Sequence, residues 1–421
     1  MTPSSSLARR LGTRDATAIG LGSMLGAGVF AAFTPAAQAA GAGLLIGLVV
    51  AAVVALGNAT STAQLAAAYP SSGGAYLYGR EHLGPWWGFI AGWSFVVGKI
   101  ASCAAMAITF AAYAAPEGWE RPVALLAVVS LVGVNLLGVT RTALATRVIL
   151  ALVLVTLAVV VASGAALGLP ALSEPLDLVS EGPYGILQSA GLLFFAFAGY
   201  ARVATLGEEV KDPSRVIPRA IVLALVIAVV IYAAVAVIVL GTLGPGRLAA
   251  STQPLTDTVQ AAGWEWATPV VRVGAAAASL GALLALIAGI ARTGLAMARH
   301  GDLPRWLAAV HRRTHVPHRA EIAAGVAICA LVALVDLRGA IGFSSLGVLA
   351  YYLIANSAAL TQPRDQRRFP RALAVTGAIG CLVLGITLPW QSVAAGVGVI
   401  LVGLAVRGIR VAASRNRHED A

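Results

Sequence analysis

Charged residues are scarce in this sequence. Only 11% of its 421 residues are Asp, Glu, Lys or Arg, whereas 59% are hydrophobic and the mean hydropathy is +0.85. A soluble globular domain carries about twice that charged fraction, so the composition excludes a soluble fold. It predicts instead an all-α, polytopic membrane protein that forms a single domain over residues 1–421.

Cysteine and catalytic groups are also sparse. The three cysteines, Cys103, Cys329 and Cys381, each fall inside an apolar run, which predicts small core residues without a disulfide or a metal site. The sequence has no phosphate-binding loop, and Ser, His and Asp never occur together at one membrane depth. We therefore expect no enzyme, no ATP-driven pump and no cofactor.

Apolar runs of about 20 residues, separated by polar breaks, predict twelve membrane-spanning helices. The predicted spans are 15–37, 41–68, 86–114, 122–139, 143–168, 184–208, 217–243, 267–299, 320–336, 339–361, 372–389 and 391–410. The segment 69–85 between the second and third spans is rich in glycine and proline. It predicts an interfacial hairpin or a short helix.

The basic residues give the orientation of these spans. With twelve spans, 23 of the 29 Lys and Arg residues lie on the side of the N-terminus, four lie on the opposite side, and Lys99 and Arg202 lie within the membrane. The positive-inside rule then places both termini in the cytoplasm. This one-sided distribution also explains the net charge of +11 without nucleic acid. Arginine outnumbers lysine 27 to 2, which favours a bacterial origin and hence the inner (plasma) membrane.

Two apolar stretches, 20–30 and 189–202, contain several glycines each. Glycine lets a helix unwind, and unwound backbone survives in lipid only where it lines a cavity. Each stretch opens a set of five spans, and the outward loop 170–183 separates the two sets. A pair of interrupted helices in corresponding positions is the best sequence pointer to a binding site near the middle of the membrane.

Three motifs resemble those of the amino acid–polyamine–organocation (APC) transporters. They are GAGVF at 26–30, FAFAG at 195–199 followed by EEVKDPSRVIPRA at 208–220, and ARTGLAMARHGDLP at 291–304. The resemblance covers the chain from about Asp15 to Asn356. It implies the leucine-transporter-type fold, with a 5+5 inverted repeat (residues 15–168 and 184–361) and two additional helices within 372–410. It also implies an amino acid as the substrate.

The breaks supply backbone groups suited to such a substrate. A half-helix that begins after Gly26 presents free N–H groups to a carboxylate, and one that ends near Met24 presents free carbonyls to an ammonium group. The resemblance places the α-carboxylate and α-amine of the substrate here. The alternative is that the glycines only allow close helix packing. The predicted substrate-binding residues are Met24, Gly26, Ala27, Gly28, Phe195, Ala198 and Gly199.

Aromatic and charged side chains near the breaks are candidates for gating or coupling. In the family an aromatic at the position of Phe195 shields the site, whereas Phe197 is equally well explained as a core residue. Lys99 and Arg202 carry charges at membrane depth, where a charged side chain is costly and usually has a functional role. We expect Lys99 to act by protonation or as a fixed cation; the alternative is that its side chain extends to the headgroups or pairs with a backbone carbonyl. For Arg202 we favour a cytoplasmic salt bridge to Glu209, Asp15 or Asp212. The alternatives are a contact with a substrate carboxylate and a counter-ion position near Glu208 or Glu209. The predicted coupling or gating residues are Lys99, Arg202, Tyr200 and Glu209.

These features predict a secondary transporter that moves amino acids by alternating access, coupled to protons or working by exchange. No Asp, Glu or His lies in the middle of a span, so neutral or acidic amino acids fit better than cationic ones. The eighth span has no hydroxyl oxygens at 280–291, which disfavours sodium. A non-transporting amino acid sensor with the same site is the alternative. The expected partners are the substrate, the lipid bilayer and protons, with monomer and homodimer both left open.

Overall fold

The fold is a bundle of helices. A computed structural model describes residues 11–69, 73–138, 143–172, 177–206 and 209–419. Among these residues the only strand-like pairing is one parallel bridge between Leu11 and Val210. The helices are α1 (Thr13–Met24), α2 (Gly28–Ala31), α3 (Phe33–Ala40), α4 (Leu44–Ala68), α5 (Gly74–Leu83), α6 (Pro85–Ala114), α7 (Glu120–Leu136), α8 (Ala143–Leu167), α9 (Gly182–Phe197), α10 (Ala201–Ala204), α11 (Pro213–Ala250), α12 (Pro254–Ala261), α13 (Thr268–Arg299), α14 (His318–Leu334), α15 (Leu337–Thr361), α16 (Arg371–Thr387) and α17 (Trp390–Glu419).

The longer helices have the length and composition of membrane spans. Among the described residues, eight helical stretches are long and apolar enough to cross a membrane. Large apolar side chains also face outward along the bundle, including Leu126 at 66% exposure, Leu334 at 80% and Ile386 at 71%. An apolar exterior on this scale is unfavourable in water and favourable in lipid. The prediction of a multi-pass helical membrane protein is therefore confirmed.

Small residues allow the helices to pack closely. The Cα atoms of Gly98 on α6 and Gly347 on α15 approach so nearly that a Cβ on Gly347 would lie 2.7 Å from the Gly98 Cα. One turn further along α6, the hydroxyls of Ser102 and Ser344 hydrogen-bond at 2.6 Å. Contacts of this type hold helices together in lipid, where hydrophobic burial gives little driving force between them.

The helix boundaries agree with the predicted spans to within a few residues in most places. The segment 69–85 contains the short helix α5, which is one of the two structures predicted for it. The predicted end of the seventh span at 243 coincides with a kink in α11, where Gly244 has a φ of 72°. The short helix α12 in the loop that follows was not predicted.

The two glycine-rich stretches depart from regular helix in different ways. The first is interrupted at 25–27, between α1 and α2, as predicted. The second does not open into extended backbone. Instead α9 tightens into a 3₁₀ turn over Ala198–Tyr200, and α10 follows directly. A 3₁₀ turn leaves some carbonyl groups without their usual partners four residues further on. Because α10 follows directly, the second stretch is nevertheless a milder break than the first.

Candidate binding site at the two helix breaks

The break between α1 and α2 leaves backbone donors free. The N–H groups of Gly26 and Ala27 donate to no acceptor in the described part of the chain, although both residues are buried. A buried N–H without a partner costs roughly 1–3 kcal/mol. Such donors therefore favour an acceptor supplied from outside the chain, and a carboxylate is a strong one because it is charged.

The two breaks lie directly against each other. A Cβ on Gly28 would lie 2.6 Å from the Cα of Ala196, so α2 contacts α9 backbone to backbone. In the opposite direction, a Cβ on Gly199 would lie 2.6 Å from the N of Met24 and would overlap the carbonyl of Ser23. Gly28 and Gly199 thus permit close backbone contact, and their predicted role in substrate binding stays a prediction. The same packing brings the free backbone groups of both breaks together.

Tyr232 on α11 joins the breaks through a single hydroxyl. Its oxygen lies 2.6 Å from the carbonyl oxygen of Met24 and 2.9 Å from that of Ala196. One hydroxyl has one proton, which these two acceptors share. The ring is fixed by edge-to-face contact with Phe197 at 5.0 Å and is 1% exposed. Tyr232 is therefore placed to hold the end of α1 at a set distance from α9.

The remaining carbonyls at the second break are also engaged. Phe195 accepts the N–H of Ala198, and Ala198 accepts a long bond of 3.5 Å from the hydroxyl of Tyr352. A carbonyl oxygen has two lone pairs, so each can accept a second donor. An ammonium group bound to Met24 or Ala198 would share these oxygens with tyrosine hydroxyls, which the sequence did not indicate.

The predicted aromatic residues are buried beside the breaks. Phe195 is 7% exposed and Phe197 is fully buried, so both contribute to the core of the bundle. On the α2 side, the Tyr113 hydroxyl donates to the carbonyl of Phe30 at 3.1 Å, and the two rings meet edge to face at 5.9 Å. The shielding role expected of Phe195 stays a prediction.

Lys99 lies near the middle of α6 and is 6% exposed. It forms no hydrogen bond or ion pair with any residue that the structure describes, and the thiol of Cys103 is on the next turn of the helix. Burying an unpaired ammonium group is costly, and a lysine near a helix end would avoid this by reaching the headgroups. From the middle of a long helix the Lys99 side chain cannot readily reach the headgroups. Its burial therefore requires another explanation.

Arg202 on α10 is exposed, with Arg292 and Glu209 as the charged groups in its neighbourhood. The predicted salt bridge to Asp15 is wrong, because Asp15 pairs with Arg147 at 2.7 Å. No ion pair between Arg202 and another described residue is formed, and Glu208 lies outside the described residues.

Glu209 forms a backbone hydrogen bond with Leu11. Its carbonyl accepts the N–H of Leu11 at 3.0 Å, and the N–H of Lys211 donates to Leu11 at 3.1 Å. This pairing fastens Leu11, just before α1, to residues 209–211.

Tyr200, in the 3₁₀ turn, is fully buried and packs against α15. Its ring stacks on that of Tyr352 at 5.2 Å, and its hydroxyl lies beside the amide of Asn58. Asn58 in turn accepts a hydrogen bond of 2.6 Å from Asn356. Tyr200 therefore belongs to a buried polar cluster among α4, α15 and the 3₁₀ turn, and its gating role stays a prediction.

Sequence reasoning missed the tyrosines Tyr113, Tyr232 and Tyr352. A signal was present, because a tyrosine inside an apolar span needs a hydrogen-bond acceptor, and the broken helices provide unpaired carbonyls. What the sequence does not reveal is which tyrosine reaches which break.

These features define a multi-pass helical membrane protein in which an interrupted helix contacts a helix tightened by a 3₁₀ turn. The sequence profile of the family described as "Amino acid permease" matches residues 11–409. The chain belongs to this family, which agrees with the predicted resemblance to the APC transporters.

Individual relatives support the same assignment. The chain is 57% identical to a Mycobacterium tuberculosis protein named "Uncharacterized transporter Rv1999c", over 99% of this chain and 94% of the relative. It is 27% identical to the branched-chain amino acid permease BcaP of Bacillus subtilis, over 95% and 92% of the two chains. It is 29% identical to an Arabidopsis thaliana protein named "Cationic amino acid transporter 7, chloroplastic", over 83% and 65%. Their names as transporters or permeases agree with the expectation that the chain is not an enzyme.

Proposed function

We propose that this protein is a secondary transporter that moves amino acids across the bacterial cytoplasmic membrane by alternating access. The observation that carries the proposal is the contact between the two breaks. Buried free N–H groups at Gly26 and Ala27 lie close to the carbonyls of Met24 and Ala196. A zwitterion needs one set of donors and one set of acceptors a few ångströms apart, and the backbone supplies both.

The proposed topology has twelve spans with both termini in the cytoplasm. Eight stretches have the length of a span, and one of them, Phe33–Ala68, combines α3 with α4. The helices α7, α14 and α16, each of 17 residues, supply three more spans. The broken unit α1–α3 supplies the remaining one, which leaves α4 alone as the second span. The two breaks then open two five-span repeats of opposite orientation, and α16 and α17 are additional.

For the substrate we propose a neutral or acidic amino acid. The buried charged residues among those described are Lys99, Asp302, Glu321 and Arg407, and both carboxylates lie at or beyond helix ends. A cationic side chain would therefore meet no carboxylate near the middle of the bundle, whereas Lys99 would attract an anionic one. BcaP, named for branched-chain amino acids, is compatible with this proposal, while the plant relatives named as cationic transporters represent its alternative.

The first prediction tests the substrate class. Purified protein in liposomes is expected to accumulate a branched-chain or an acidic amino acid, and the same compound is expected to raise the Tm in detergent. Labelled leucine, glutamate and arginine are to be compared at two pH values, with and without sodium, against empty liposomes. Stabilisation and uptake specific to arginine would contradict the proposed substrate class. Stabilisation by an amino acid without any uptake would favour the sensor.

The second prediction concerns coupling through Lys99. We expect Lys99→Met to flatten the dependence of the initial uptake rate on pH, because the variant removes the buried amine of α6 while keeping an unbranched side chain. The measurement is uptake across an acidic-to-alkaline pH series. Lys211→Met is the matched control, since Lys211 is exposed and is the only other lysine. A pH profile of Lys99→Met identical to that of the wild type would rule out a proton relay at this position.

A further inference from the structure

A buried carboxylate joins three parts of the bundle far from the helix breaks. Asp302 follows α13 and is 6% exposed. Its Oδ2 accepts a hydrogen bond from the Tyr76 hydroxyl at 2.8 Å and lies 3.1 Å from Nη1 of Arg80, both on α5. Its Oδ1 lies 3.0 Å from Nη1 of Arg407 on α17. We name these four residues the Asp302 cluster.

The backbone that carries Asp302 is fixed by the C-terminal cap of α13. Gly301 has a φ of 79°, a left-handed conformation that favours glycine. The N–H of Gly301 donates to Ala298, and the N–H of Asp302 donates to Met297 at 2.8 Å. These two bonds form a Schellman motif. The Gly-Asp pair of the third sequence motif therefore both ends the helix and directs a carboxylate towards α5 and α17.

Aromatic rings complete the surroundings of the cluster. The guanidinium of Arg407 lies 4.9 Å from the ring centre of Trp86 and 4.8 Å from that of Phe89, at the start of α6. Arg80 lies 5.7 Å from the ring of Tyr76. Desolvation, followed by the hydrogen bond to Asp302, raises the pKa of Tyr76, so its hydroxyl remains a donor. Each member of the cluster is thus held from more than one side.

The charges of the cluster depend on one another. Two guanidinium groups face one carboxylate, and the electrostatic influence of Arg80 on Arg407 is unfavourable. Removing the carboxylate would leave two positive charges together at a site with little access to water. Loss of one partner from a buried ion pair is far more disruptive than loss of an exposed one.

The start of α1 is held much less firmly than the Asp302 cluster. There the ion pair between Arg147 and Asp15 has side-chain exposures of 63% and 35%. Exposed pairs of this kind contribute little to stability. An exposed ion pair therefore holds the start of α1. Buried ion pairs, by contrast, hold α5, the end of α13 and α17 together.

We propose that Asp302 is a positioning residue that holds α5 and α17 to the end of α13 as one rigid unit, against which the cytoplasmic end opens and closes. The proposal rests on the topology proposed above, which places the cluster at the cytoplasmic end. Asp302 contacts neither break, so it acts on the rate of transport and not on substrate affinity. The last helix then has a defined part in transport although it lies outside the two repeats.

A charge-rescue experiment tests the proposal. Asp302→Asn is expected to lower the Tm of the purified full-length protein by roughly 5 °C or more. In liposomes containing equal amounts of monodisperse protein, it is expected to lower the maximal uptake rate several-fold and to leave the KM within about twofold. The double variant Asp302→Asn/Arg407→Gln removes one of the two uncompensated charges, so it is expected to recover at least half of both losses. Arg147→Gln is the matched control at an exposed ion pair and should leave the Tm nearly unchanged.

Three results would overturn the proposal. The first is a wild-type Tm and rate for Asp302→Asn, the second is additive losses in the double variant, and the third is a KM that rises as much as the rate falls. If Asp302→Asn does not fold, Arg407→Gln and Arg407→Lys provide the same comparison with the carboxylate kept. The lysine variant retains the charge, so it should be milder. If the wild type transports no amino acid, the proposed function fails, while the rescue of Tm still tests the cluster.

Discussion

Tyr232→Phe is expected to reduce amino acid uptake by about tenfold and to lower the Tm by a few degrees. The variant keeps the ring that packs on Phe197 and removes only the hydroxyl that joins Met24 to Ala196. The carbonyls of Met24 and Ala196 then lose the one proton that they share, at a cost of about 1–3 kcal/mol if nothing replaces it. Since about 1.4 kcal/mol corresponds to a factor of ten, a loss of this size is readily measured.

Tyr78→Phe is the matched control. Tyr78 is also fully buried, but its hydroxyl has no hydrogen-bond partner in the described part of the chain. Removal of that hydroxyl should be neutral or slightly stabilising. Initial uptake rates and Tm values of both variants are to be compared with those of the wild type. Equal behaviour of the two phenylalanine variants would show that the bridge between the breaks has no special role.

Glycine made the first break predictable. Gly26 and Gly28 weaken the helix locally, so the interruption at 25–27 was expected from residues adjacent in sequence. The bridge across the breaks depends on side chains distant in sequence. Tyr232 lies 208 positions from Met24, and no local pattern relates the two. The position of the first break could therefore be predicted from the sequence, whereas the hydrogen-bond partners of its free backbone groups could not.

The charged residues illustrate the same limit. Both Lys99 and Arg202 were identified as charges at membrane depth, yet the expected link from Arg202 to Asp15 is absent because Arg147 occupies that carboxylate. Asp302 lies in a motif that carried the family resemblance, and its three partners come from α5 and α17. The partner of a charged residue depends on which helices pack side by side. The hydropathy pattern along the chain does not specify this packing.

Gly28→Ala is expected to abolish most transport, with a loss of about tenfold to a hundredfold. The added methyl group would lie 2.6 Å from the Cα of Ala196 and 2.8 Å from its Cβ, so α2 and α9 must move apart. Overpacking of a tight contact costs about 1–3 kcal/mol, and here the strain falls on the residues that present the free N–H groups. Both the binding of the substrate, followed as a rise in Tm, and its uptake should be lost together.

A second substitution separates backbone contact from side-chain contact. In Gly28→Ala/Ala196→Gly the Cβ of residue 196 is gone, but the clash with its Cα remains, so little recovery is expected. Gly133→Ala on α7 is the matched control, because nothing lies within 4 Å of the added methyl group. It should leave transport intact and stabilise the helix by up to about 1 kcal/mol. Full recovery in the double variant would show that only the side chains touch, and the two breaks would then not be held together by their backbones.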